Sequence, residues 1–127
     1  MYDREFDDDL RNTNELVQRY ENALQVNESS YFDENELEEI IDFYLENDKL
    51  DNALRVADEG LIQYQFSTIF YQKKAEILLE LNQLDEALEN LEIATTFSPN
   101  ETSIFLLKAD VYTLKGEYAK AVDLVNA

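Results

Sequence analysis

The sequence predicts an all-α protein in which short antiparallel helices repeat along the chain. Three observations predict it. The 127 residues include only two Gly and one Pro, too few turn residues for a β-rich fold. Apolar residues fall three and four apart, the period of one helix face. The chain also aligns with itself at a shift of thirty-four residues: Ala53 falls on Ala87 and Ala121, Ile41 on Ala75 and Ala109, Tyr44 on Leu78 and Tyr112. Leu50 likewise falls on Leu84 and Tyr118, and Ala57 on Leu91 and Val125.

The elements follow in order. Residues 1–9 are acidic and expected to fray. A narrow stripe of Leu16, Tyr20, Ala23 and Leu24 predicts a helix from about Thr13 to Val26. Asp33 followed three residues later by Glu36 is a capping box, and Phe32 and Leu37 flank it as a hydrophobic staple. The helix they start carries Ile40, Ile41, Tyr44 and Leu45 and stops near Asn47 and Asp48. The next runs from about Asp51, through Leu54, Ala57 and Leu61, to Tyr64. Four more are expected over 68–81, 85–97, 101–115 and 118–126. Helices of about fourteen residues are roughly 21 Å long, and links this short force neighbours antiparallel. Asp48, Asn82 and Gly116 stand at equivalent turns, and each tolerates a left-handed backbone.

This pattern resembles the tetratricopeptide repeat, a helix–turn–helix unit of thirty-four residues. The middle copy, 68–101, carries Tyr71 at the family's Trp, Ala75 at its small residue and Leu78 at its Tyr, then Ala87, Leu91, Ala94 and Pro99. The last copy, 102–127, offers Phe105, Ala109, Tyr112, Gly116, Tyr118 and Ala121 and is truncated. The first, 34–67, keeps Leu37, Ile41, Tyr44, Ala53 and Ala57 but has Gly60 and Gln65 in place of Ala and Pro. Lys74 and Lys108 stand where the family prefers Leu. The resemblance implies an α-α superhelix of about seven helices. Residues 1–33 would form an acidic tail and a capping helix, and 34–127 three repeats. It also explains Ala87, which lies among Leu84, Leu88 and Leu91 where a larger side chain would bury more. A methyl group there lets the second helix of a unit approach the first near Ala75, while Tyr71, Leu78 and Leu91 fill the space around it.

Composition excludes several functions. With 29 acidic and 10 basic residues the formal charge is -19, a surface that repels nucleic acid and anionic lipid. The chain has no Cys and no His, so no thiolate or imidazole metal site and no histidine base is available. No glycine loop cradles a phosphate, and no apolar run is long enough to cross a membrane. The sequence therefore carries no catalytic residue, metal site or cofactor, and it reads as cytoplasmic and non-enzymatic.

By the resemblance, the chain is an interaction scaffold that binds a protein or peptide along the concave face of the first helices. That face would include Glu38, Asp42, Leu45 and Glu46 from the first copy, Ile69, Gln72, Glu76 and Leu79 from the second, and Ser103, Leu106, Asp110 and Thr113 from the third. Leu45, Leu79 and Leu106 could equally touch neighbouring helices. Family members that grip chaperone C-termini use Lys and Asn where this chain has Glu38 and Asp42, which disfavours that function. The charge balance is -12 over residues 1–50 and -7 over 51–127, so a basic partner is expected at the N-terminal end. Val122 and Val125 suggest weak self-association through the last helix, and the chain reads as the N-terminal part of a longer repeat protein. The alternative is a regulatory or client-binding chaperone module attached to an enzyme or a secretion system.

Overall fold

The computed structural model describes residues 4–26 and 31–126; residues 1–3 of the acidic tail, the link 27–30 and Ala127 lie outside them. Among the described residues there are seven helices and no strand: α1 (Arg4–Gln25), α2 (Glu34–Glu46), α3 (Leu50–Gln63), α4 (Thr68–Glu80), α5 (Leu84–Phe97), α6 (Thr102–Leu114) and α7 (Tyr118–Asn126). The last six begin and end within about a residue of the expected bounds. The first does not. It starts at Arg4, inside the stretch 1–9 that was expected to fray and ahead of the expected start near Thr13. The chain divides into two compact units, one ending at Val56 and the other beginning at Ala57.

In the first unit α1 packs on α2. From Arg11 onward the buried side chains of α1 are Leu16, Val17 and Tyr20, whereas Leu24, expected in the same stripe, is exposed. The contact is therefore one turn shorter at its C-terminal end than the apolar spacing suggested. Tyr20 meets Phe32 edge-on at 5.6 Å, and the Arg19 guanidinium lies over the same ring at 4.8 Å. Asp33 accepts from the Glu36 amide and Glu36 accepts from the Asp33 amide, at 2.8 and 3.1 Å, closing the capping box. Tyr44 is fully buried and donates to Glu21 at 2.7 Å. Burial and that carboxylate push its phenol up to about 12, so it stays neutral.

In the second unit α4 packs on α5, α5 on α6 and α6 on α7, with α4 also beside α6. Its core joins Ala75, Leu78, Ala87, Leu91, Ala94, Ile104 and Val111, with Tyr71 packed against it. Ala87 is fully buried in that cluster together with Ala75, as the close-approach reading of its small side chain requires. Ala53 in the first unit is fully buried too. The departure at Gly60 has a steric cause: a Cβ there would lie 2.9 Å from the Phe70 ring. One repeat later the same two places hold Ala94 and Ile104, both buried. Gly with Phe and Ala with Ile fill one site in two ways.

The turns reproduce the period in their hydrogen bonds. Asp48 (φ 57°), Asn82 (φ 60°) and Gly116 (φ 81°) are the three left-handed residues among those described. Each amide bonds a carbonyl three residues back (Leu45, Leu79, Thr113), and the next amide bonds one five residues back (Tyr44, Leu78, Tyr112). That pair of bonds is the Schellman motif, made three times thirty-four residues apart.

Candidate functional site: the faces of the first helices

The sequence-predicted residues divide between the two units. On α2, Glu38 and Asp42 are half-buried and line a shallow hollow of about 360 Å³ with Asp33, Asn35, Glu36 and Glu39. Several of these carboxylates are engaged. Glu36 takes Arg19 at 2.6 Å in addition to its capping bond, and Glu39 accepts from Thr13 at 3.1 Å. None of these bonds involves Glu38. Leu45 is half-buried and Glu46 exposed, and neither lines the hollow.

In the second unit Ile69, Gln72, Glu76 and Leu79 are all half-buried on α4. On α6 Ser103 is half-buried, whereas Leu106, Asp110 and Thr113 are exposed, Leu106 by 52%. The structure brings Gln72 and Ser103 together: the Ser103 hydroxyl has the Gln72 amide oxygen at 3.2 Å and the Glu101 carboxylate at 3.4 Å as acceptors. Glu76 pairs with Lys73 at 3.7 Å, and Thr113 donates back to the Ala109 carbonyl at 2.8 Å. Leu79 packs against the core. Leu106 does not share that burial.

Two features escaped the sequence reading. Lys74 pairs with Asp58 at 2.8 Å, and Lys108 with Glu92 at 3.2 Å. Both partners shift by thirty-four residues together, so these are one ion pair made twice, each joining the first helix of a repeat to the second helix of the repeat before it in sequence. The available signal was an acid sixteen residues ahead of each Lys. The second feature is aromatic. Phe66 meets Phe97 edge-on at 5.9 Å, and the Tyr71 ring, tilted by 31°, lies 6.1 Å from Phe97.

Among the described residues no group of Asp and Glu is arranged to hold a metal ion, and no helix is long and apolar enough to cross a membrane. The architecture defines an all-α helical repeat of the tetratricopeptide-like class. The crystal structure of MamA, a protein of that fold, superposes with a TM-score of 0.76 at 15% identity, covering 99% of this chain and 72% of that one. No family model and no curated protein matches the sequence.

Proposed function

We propose that this chain is a cytoplasmic, non-enzymatic scaffold that binds a partner polypeptide through the faces of its first helices. The observation that carries this reading is the α4–α6 surface. Gln72 and Ser103 tie the two helices together, while Leu106 and Asp110 stand open beside them. A face held firm and left half-apolar, half-charged suits peptide recognition better than catalysis. On α2 the carboxylates of Glu38 and Asp42 favour Lys or Arg in the partner. The exposed Val122 and Val125 of α7 add weak self-association.

The test is selection of peptides from a random display library against the full chain. Binders rich in Lys or Arg and in aliphatic residues are expected. Their affinity should fall as salt rises, because the Debye length shrinks from about 10 Å at 0.1 M to about 3 Å at 1 M. The double variant Glu38→Lys/Asp42→Lys should abolish binding of those peptides that dock on α2, without lowering the melting temperature. Retained affinity in that variant would remove α2 from the site. Sedimentation of the full chain reads the self-association, which a monomer at high concentration would refute.

A further inference from the structure

The second helix of the middle repeat presents an exposed stripe that the first-helix reading does not use. Glu86, Glu89, Ile93 and Phe97 of α5 are all exposed and lie three or four residues apart, on one side of the helix. The stripe changes character along its length, from two carboxylates to two apolar side chains. At its apolar end the Phe97 ring meets Phe66, which is 72% exposed. Phe97 itself is 42% exposed despite touching both Phe66 and Tyr71. The distance from Glu86 to Phe97 is about 16 Å at 1.5 Å per residue.

Charge says what fits there. From Ala57 onward the sequence has five Lys and no Arg, and all five are already in ion pairs, with Glu76, Asp58, Glu92, Asp85 and Glu117. None of those pairs uses Glu86 or Glu89.

We infer that the outer stripe of α5, with Phe66, is a second docking surface, for a helical polypeptide segment that is apolar at one end and basic at the other. The apolar end seats on Ile93, Phe97 and Phe66. The basic side chains reach Glu86 and Glu89 about two turns away. Such a surface is separate from the first-helix faces, so either can fail without the other.

The probe is a fluorescein-labelled synthetic helix of about four turns, with Leu and Phe on one face of its first half and Lys on the same face of its second. Anisotropy titration of the full chain should give saturable binding. A scrambled peptide of the same composition, and one with Glu for Lys, should bind far less. Phe66→Ala/Ile93→Ala should weaken binding about tenfold or more, the usual loss when apolar anchors are truncated. Glu86→Lys/Glu89→Lys should weaken it and flatten its salt dependence, while Glu38→Lys/Asp42→Lys should leave it unchanged. Melting temperatures of the variants establish that they are folded. Equal binding of the scrambled peptide, or unchanged affinity in both α5-stripe variants, would overturn the inference. So would sedimentation showing that the stripe is covered by a second copy, released by Phe66→Ala.

Discussion

The α4–α5 pair and the α6–α7 pair have the same plan and different fates. Ala87 and Ala121 occupy one column, as do Leu91 and Val125, and their turns carry the same two hydrogen bonds. Yet Leu91 is fully buried and Val125 is 62% exposed, and Ala87 is fully buried where Ala121 retains 7%. The cause is not in the residues. α5 has α4 on one side and α6 on another, whereas α7 packs on α6. In a repeat architecture each unit's stability combines its own helix pair with its contact to the next. Column identity fixes where a side chain points, and the neighbouring helix decides whether it is buried.

The largest expected effect tests that distinction directly. Ala87→Leu should cost about 1–3 kcal/mol in chemical denaturation, because overpacking a fully buried site forces helices apart. Ala121→Leu should cost less than half as much, since α7 can shift outward with little lost contact. Equal losses would mean that the two columns are packed alike and that the neighbour does not matter.

How far the sequence could be read follows the same line. Local signals were legible: the Asp33–Glu36 capping box, the three left-handed turns and the small residues at Ala53, Ala87 and Ala121 all depend on residues close in the chain or on the repeat itself. Signals that depend on which helix lies opposite were not. Leu24 belongs to the apolar stripe of α1 by spacing, yet it ends up exposed while Val17 is buried. Lys74 and Lys108 look like defects in an apolar column until Asp58 and Glu92 are seen across from them. For the candidate site the sequence placed Gln72 and Ser103 on neighbouring first helices, and they meet. It could not say that Leu79 packs against the core while Leu106 is exposed, because helix-face spacing allowed either outcome at both positions.

The two equivalent ion pairs sharpen the comparison at intermediate size. The Lys108 side chain is 8% exposed, whereas that of Lys74 is 27% exposed. Glu92→Gln removes the charge facing a buried ammonium and should cost about 1–2 kcal/mol. Asp58→Asn faces a better-hydrated one and should cost under about 1 kcal/mol. Lys108→Met should be close to neutral, because an apolar chain of similar length needs no counter-charge. Thermal or urea melts of the three variants check the order, and an Asp58→Asn loss as large as that of Glu92→Gln would break it.

The smallest effects should come where the repeats ought to stop differing. A left-handed turn is satisfied by its own helix end, so it should not sense whether another unit follows. Gly116 has φ 81° and open space around the position of a Cβ. Gly116→Ala therefore meets no clash, and its cost is the backbone's own, about 1 kcal/mol once the lower entropy of the unfolded Ala chain is counted. Asn82→Ala should lose about the same, since Asn adopts this conformation more readily than Ala. Asn82→Gly trades an easier turn against a more flexible unfolded chain and should stay within a few tenths of a kcal/mol. Melts that put Gly116→Ala and Asn82→Ala within about 0.5 kcal/mol of each other would show that turns are set locally while burial is set by neighbours. A much larger loss at Asn82 would mean that the turn, too, depends on the helices stacked against it.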